Sequence, residues 1–92
     1  MNIQNQDDGK KGQFFIEEKG FHLAEMTYVW VGEEKFIINH TEVSEQLKGM
    51  GAGKQLVSKA VEFARKKNIK IIPLCPFAKS VFDKVTEFRD VL

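Results

Sequence analysis

Three glycines at alternate positions, Gly49, Gly51 and Gly53, stand directly before a stretch whose apolar residues recur at helical spacing. A helix begins with backbone N–H groups that have no partner inside the helix, and its dipole places partial positive charge at the same end. Glycines at this point let an anion approach the backbone closely. The pattern therefore predicts that a phosphate or diphosphate group binds at the start of the helix.

The spacing of the glycines separates this loop from two common phosphate-binding motifs. A Walker A loop requires a glycine five residues before the Gly-Lys pair and Ser or Thr after it, but the chain has Lys48 and Gln55 there. A dinucleotide fingerprint requires glycines at i, i+2 and i+5, and the two possible frames put Lys54 and Leu56 at the third position. Both motifs are excluded, and a different kind of phosphate loop remains.

Side chains with nucleophilic or acid-base chemistry lie on both sides of the loop. Cys75 is the single cysteine and falls where an apolar strand pattern ends and a helical pattern begins. A free cysteine is often only a small buried residue, but a helix N-terminus can lower the pKa of a thiol and make it a nucleophile. His40 could act as a base near neutral pH or simply pack on its strand. Glu42 shares the face of His40 and is the second candidate base, unless it is only a solvated carboxylate.

The loop and its flanks together resemble one superfamily. The run from Lys48 to Gly53 is similar to the acyl-CoA pyrophosphate loop of the GNAT superfamily of acetyltransferases, which usually has Arg or Gln in place of Lys48. Lysine keeps the positive charge but lacks the planar donor group. The segments 40–43 and 75–78 resemble a minimal single-domain branch that carries a cysteine beyond the next strand. The resemblance covers residues 13–92.

This resemblance implies an acetyl-CoA-dependent N-acetyltransferase, in which backbone N–H groups from roughly Met50 to Lys54 bind the diphosphate. Transfer to an amine would be direct, or would proceed in two steps through the cysteine. The predicted catalytic residues are Cys75, His40 and Glu42. The predicted cofactor-binding residues are Thr41, Val43, Lys48, Gly49, Met50, Gly51, Ala52, Gly53, Lys54 and Phe77.

The resemblance also indicates where the pantetheine arm of the ligand lies. Pro73 stands within the apolar run 69–74 and cannot donate to a sheet ladder, so we expect this strand to be short or to leave the sheet there. In the GNAT fold the arm occupies the gap between this strand and the one that ends, in this chain, at Val43.

The short chain leaves two further functions open. Most superfamily members build part of the acceptor pocket from an early helix pair and from two strands after the last helix, and we expect neither in this sequence. The acceptor side is then exposed or supplied by a partner, and neither the acceptor nor the oligomeric state is predicted. A non-catalytic acyl-CoA-binding or sensing module is the second hypothesis, and a protein-interaction domain with a relic loop is the third.

Composition narrows the classes of partner. Fourteen basic and thirteen acidic residues give a net charge of +1, so no general field attracts nucleic acid or an anionic membrane. A single cysteine cannot form an internal disulfide, and no apolar run approaches the length of a membrane span. The N-terminal sequence has no signal-peptide pattern, which leads us to expect a cytoplasmic protein. His22, His40 and Cys75 lack the paired spacing of metal ligands, so no metal site is predicted.

The rest of the chain supplies the elements that position these residues, and a single α+β domain over 1–92 is predicted. We expect residues 1–12 to form a polar, frayed lead-in or turn. An antiparallel meander of three strands follows, then the glycine loop, a helix, a parallel strand and a C-terminal helix. The strands are predicted over 13–18, 21–31, 36–43 and 69–74, and the helices from Ala52 to a cap at Asn68 and from Cys75-Pro76 to Val85.

The second predicted strand indicates which of its side chains share a face. Period-two alternation puts one set on one face of the sheet: His22, Ala24, Met26, Tyr28 and Trp30. Since the residues between them are also partly apolar, we expect a sheet that is covered on both sides.

Overall fold

A five-stranded mixed sheet forms the frame of the protein, whose computed structural model describes residues 2–92. The strands stand side by side in chain order; the first four are antiparallel and the fifth runs parallel to the fourth. They are β1 Ile3–Asp7, β2 Lys11–Glu18, β3 Phe21–Val31, β4 Lys35–Val43 and β5 Lys70–Pro73. The predicted α+β class is confirmed.

Helices follow β4 and β5, as the apolar spacing predicted. They are α1 Ala52–Lys67 and α2 Pro76–Lys84, and 3₁₀ turns cover Glu45–Leu47 and Thr86–Val91. α1 is the crossover that two parallel neighbouring strands require. It ends at Asn68, whose φ of 55° and bonds from its N–H to the carbonyls of Ala64 and Arg65 confirm the predicted cap. Within residues 2–92, neither helix has both the length and the apolar character needed to cross a bilayer.

Polar residues at the start of the chain form a strand, so the predicted lead-in over 1–12 is wrong for Ile3–Asp7, while residue 1 lies outside the described residues. β1 pairs with β2 from Ile3 opposite Ile16 to Asp7 opposite Gly12. The Asp7 carboxylate accepts hydrogen bonds from the Tyr28 hydroxyl at 2.7 Å and from the indole N–H of Trp30 at 2.9 Å. The polar side chains had suggested solvation, but they find partners on the sheet, and the meander has four strands instead of three.

Two β-bulges change which face some side chains occupy. The register between β2 and β3 shifts after Ile16, and the ring of His22 then stacks on Phe15 at 4.3 Å, on the face opposite Ala24. The predicted face of His22 is therefore wrong, since a bulge reverses the alternation. A second shift, between β3 and β4, leaves Asn39 as the extra residue.

Both helices pack on one face of the sheet in the described part of the chain, which corrects the expectation of a sheet covered on both sides. Val29, Val31 and Ile72 on the other face remain 38–39% exposed. The helix-side core contains Phe14, Ile16, Ala24, Met26, Tyr28, Phe36, Ile38, Ala52, Leu56, Val57, Ala60, Val61, Ala64, Ile69, Ile71, Cys75, Ala78, Val81, Phe82 and Val91. We call the other side the open face.

Candidate functional site

The three glycines of the loop have two different structural roles. Gly49 and Gly51 have φ values of +80° and +72°, in the left-handed region that favours glycine, and a Cβ built on either would meet no atom within 4 Å. Gly53 lies in the first turn of α1, where a Cβ would overlap the Phe77 ring. Two glycines therefore shape the backbone, and the third lets α2 approach α1.

The start of α1 has free hydrogen-bond donors. The first intrahelical bond runs from the N–H of Gln55 to the carbonyl of Gly51 at 3.0 Å, so the N–H groups of Ala52, Gly53 and Lys54 have no partner inside the helix. Gly51 provides no side-chain cap, and the first turn of α1 contains no acidic residue. These three N–H groups and the helix dipole form a cradle for an anion.

A cleft of about 400 Å³ opens between this helix start and α2. Every predicted cofactor-binding residue lines it except Thr41 and Met50. The N–H of Met50 donates to the carbonyl of Leu47 at 3.1 Å and so belongs to the turn. We call this cavity the loop cleft, and its lining is Val43, Leu47, Lys48, Gly49, Gly51, Ala52, Gly53, Lys54, Phe77, Ser80, Val81, Lys84 and Val85.

Sequence reasoning missed the α2 side of the loop cleft. Ser80, Val81, Lys84 and Val85 follow Phe77 at intervals that place them on one side of a helix. The spacing was visible in the sequence, but the packing of α2 against the helix start depends on Gly53 and is a tertiary contact.

The charge around the loop cleft is positive. Lys48 is paired with Glu45 at 2.7 Å, but within residues 2–92 no carboxylate lies within ion-pair distance of Lys54 or Lys84. Lys54 also lies in the first turn of α1, where a cation is unfavourable beside the positive end of the helix dipole. A bound anion would relieve that repulsion.

β4 and β5 part beside the loop cleft, as Pro73 had suggested. Their pairing ends at Ile38 opposite Pro73, and the N–H groups of Leu74 and Cys75 both donate to the carbonyl of Ile38. β4 continues to Val43, so its last five residues have no partner strand on this side. We call the opening between this part of β4 and the start of α2 the β4–β5 gap.

Cys75 lies at the N-cap position of α2, with Pro76 at the first helical position. Its thiol is buried and donates to the Thr41 hydroxyl at 3.4 Å. Burial alone would raise the pKa of this thiol. The Thr41 hydroxyl, which can donate to the thiolate once the proton is lost, and the backbone N–H groups of Ala78, Phe77 and Thr41 lower it below its ordinary value. This geometry gives Cys75 more thiolate character than a free cysteine.

The candidate bases lie on the other side of β4 from the thiol. The alternation of β4 puts Thr41 and Val43 on the helix side, and puts His40 and Glu42 on the open face. The imidazole Nε2 of His40 lies 3.5 Å from a carboxylate oxygen of Glu42, and their side chains are 59% and 72% exposed. The structure therefore brings Thr41 to Cys75 and brings His40 to Glu42, as two separate pairs.

The fold and the site define the class of protein: an α+β domain with a helix-start anion cradle beside a gap between parallel strands. Residues 13–91 match the sequence model of the GCN5-related N-acetyl-transferase family. The chain belongs to that family.

Curated relatives match most of the chain. The chain is 32% identical over 74 residues to Protein NATD1 of Gallus gallus. This match covers 79% of this chain and 67% of the relative. Protein NATD1 of Xenopus tropicalis is 31% identical over 74 residues, with coverage of 79% and 68%.

Solved structures resemble the whole fold. The solution structure of a GCN5-like protein from Staphylococcus aureus superposes with a TM-score of 0.76 at 40% identity, over 98% of this chain and 85% of that one. A predicted acetyltransferase from Clostridium acetobutylicum, crystallised with acetyl-CoA, superposes with a TM-score of 0.64 at 18% identity, over 80% and 55% of the two chains. The second likeness concerns the fold alone.

Proposed function

We propose that the protein binds acetyl-CoA in the loop cleft and transfers the acetyl group to an amine. The observation that carries this proposal is that the loop cleft and the Thr41–Cys75 pair lie on neighbouring parts of the same two elements, β4 and α2. Val43 and Phe77 line the cleft, and each lies two residues along the chain from a member of the Thr41–Cys75 pair. A ligand held at the anion cradle would extend along these residues toward Cys75.

Each part of the proposed site suits a part of acetyl-CoA. The diphosphate binds the N–H groups of Ala52, Gly53 and Lys54, which have no other partner inside the helix. The pantetheine arm follows the β4–β5 gap, where the free edge of β4 offers backbone donors and acceptors. The thioester then lies beside Thr41 and Cys75. The match over residues 13–91 to an acetyltransferase family supports this arrangement.

In a two-step route, Cys75 is the nucleophile. Its thiolate attacks the thioester carbonyl, a bond to Sγ forms, and the bond to the sulfur of CoA breaks so that CoA departs as a thiolate. The amine then attacks the acyl group on Cys75, loses a proton to a base, and releases the Cys75 thiolate. The hydrogen bonds that lower the pKa of this thiol favour both the attack and the release. The cytoplasm, which keeps a lone thiol reduced, is the compartment that suits this chemistry.

In a direct route, the base acts on an amine that arrives from the open face. His40 and Glu42 lie together there, 3.5 Å apart. One of them takes a proton from the amine as its nitrogen attacks the thioester.

The exposure of the His40–Glu42 pair favours a second candidate function, a non-catalytic acyl-CoA-binding module. Side chains that are 59% and 72% exposed do not enclose an acceptor. An acetyltransferase with this open face needs a partner or a large acceptor to exclude water. A module that senses or presents acyl-CoA does not.

Radiolabelled acetyl-CoA distinguishes these functions. Wild-type protein, Cys75→Ala and Cys75→Ser are incubated with it, with and without a library of amines. The two-step route predicts label on the wild-type protein, no labelled thioester on either variant, and product only with the wild type. Product from all three proteins indicates direct transfer, and binding without product or label indicates the module. Absence of saturable binding would contradict every form of the proposal.

A further inference from the structure

The α2 side of the loop cleft has a floor and a rim of different character. Val81 and Val85 are buried or partly buried and form an apolar floor together with Leu47. Lys84 is exposed at the rim, in the last turn of α2. The Ser80 hydroxyl donates to the carbonyl of Phe77 at 2.6 Å, so it is already used within the helix. The free polar group on this side is the ammonium of Lys84.

Two cations on different elements remain without counter-ions around this cleft. Lys48 is neutralised by Glu45 at 2.7 Å. Lys54, at the start of α1, and Lys84, at the end of α2, have no carboxylate within ion-pair distance in the described residues. Since α1 and α2 both line the cleft, the two lysines border one cavity with an apolar floor.

Coenzyme A carries a second phosphate besides its diphosphate, a monoester at the 3′ position of the ribose. Such a group has a charge of about −1.5 to −2 at neutral pH and strong acceptor oxygens. The three N–H groups at the start of α1 suit the diphosphate, and Lys84 lies seven residues beyond Phe77, or about 10 Å along the helix axis. That separation leaves room for the adenosine on the apolar floor.

We propose that Lys84 and Lys54 form a subsite for the 3′-phosphate, and that the protein thereby prefers CoA to its 3′-dephosphorylated form. This inference rests on the proposed binding of acetyl-CoA in the loop cleft. The two lysines determine ligand specificity, and they do not touch the thioester. The apolar floor formed by Leu47, Val81 and Val85 carries the adenine ring.

Calorimetric titration with CoA and with 3′-dephospho-CoA tests the subsite. We expect the wild-type protein to bind CoA about tenfold more tightly than the dephosphorylated ligand, as two partly exposed charge contacts imply. Lys84→Gln should reduce this ratio to about threefold or less, mainly by weakening the binding of CoA. Lys79→Gln is the matched control, because it removes the same charge from the same helix at a residue outside the cleft lining, and should leave the ratio unchanged.

The outcomes separate this inference from the function on which it rests. Equal affinity of the wild-type protein for the two ligands would overturn the subsite and leave CoA binding intact. An equal change of the ratio in Lys84→Gln and Lys79→Gln would also overturn it, since general charge would then explain the preference. No binding of either ligand would overturn the proposed function and the subsite together. Amide spectra of each variant establish that the fold is retained.

Discussion

The two ends of the sheet use their polar groups in opposite ways. At the end near β1, the Asp7 carboxylate accepts from Tyr28 and Trp30, and Asn5 donates to the Tyr28 hydroxyl at 3.0 Å. At the end beside the loop cleft, the first amides of α1 have no helical partner, and the Ser44 hydroxyl is the one buried side-chain polar atom in residues 2–92 without a hydrogen bond.

Polar groups without partners indicate at which end of the sheet a ligand is expected. Buried polar groups cost free energy when they lack partners, so a fold satisfies them wherever it can. The β1 end satisfies them from within the chain and gains stability. The loop end leaves N–H groups and two lysines available to a ligand. We call these regions the closed end and the ligand end.

The first prediction would break the ligand end. Gly51→Val places a β-branched residue at a φ of +72°, which is strained and displaces the amides of the cradle. We expect the affinity for acetyl-CoA to fall about a hundredfold, because several charge-assisted hydrogen bonds are lost together. Calorimetric titration measures the change.

Gly32→Val is the control for this change. Gly32 also has a positive φ, +69°, with no atom within 4 Å of a built Cβ, and it lies in the turn between β3 and β4. Its substitution should cost similar stability and leave ligand affinity unchanged. An equal loss of affinity in both variants would mean that the loop glycine acts only through the stability of the fold.

The second prediction would break the closed end. Asp7→Asn weakens the bonds to Tyr28 and Trp30, and we expect unfolding in urea to require about 1–3 kcal/mol less free energy. Asp83→Asn removes a carboxylate that makes no side-chain bond within the described chain, and should change stability little. Both folded variants should retain their affinity for acetyl-CoA. Loss of affinity in Asp7→Asn alone would mean that the closed end also contributes to ligand binding.

The closed end also predicts a dependence of stability on pH. Burial would raise the pKa of Asp7, but hydrogen bonds from Tyr28, the Gly9 amide and Trp30 lower it below its ordinary value. A lowered pKa in the folded state means that protonation favours unfolding, so this contribution is complete above about pH 4 and is lost as the pH falls through the folded pKa. Unfolding curves from pH 7 to pH 3 should lose this dependence in Asp7→Asn, and an unchanged slope would contradict it.

The last and smallest prediction concerns the pair formed by Thr41 and Cys75. Thr41→Val removes the hydroxyl that bonds Cys75 but keeps the side-chain shape, so the thiol pKa should rise. Alkylation of Cys75 at pH 7 should slow by about threefold, with its pH profile displaced upward. Thr86→Val, the same change in the C-terminal turn, should have no effect. An unaltered pH profile in Thr41→Val would mean that the Thr41 hydroxyl does not lower the pKa of Cys75.

Much of the ligand end could be predicted from the sequence, because its signals are local. The alternate glycines, the helix spacing after Ala52 and the placement of Pro73 all describe short stretches of backbone. The structure places most of the predicted cofactor-binding residues in one cleft. Lys84 was missed because its position depends on how two helices pack.

The structure of the closed end and the faces on which the β4 side chains lie could not be predicted from the sequence. β1 is polar, and what makes it a strand is its pairing with β2 and the bonds from Tyr28 and Trp30, which are distant in sequence. A bulge shifts the alternation by one residue, and no local pattern marked the bulges that moved His22 and left Asn39 as the extra residue. The separation of His40 from the thiol is therefore a structural finding.

Mapping amide chemical shifts during titration with acetyl-CoA locates the bound ligand residue by residue. We expect saturable shifts of the amides from Gly51 to Lys54, together with those of Thr41 and Cys75. The amides of Tyr28 and Trp30, at the closed end, should not move. Shifts centred on the closed end, or no saturable shift at the start of α1, would contradict the binding of acetyl-CoA in the loop cleft.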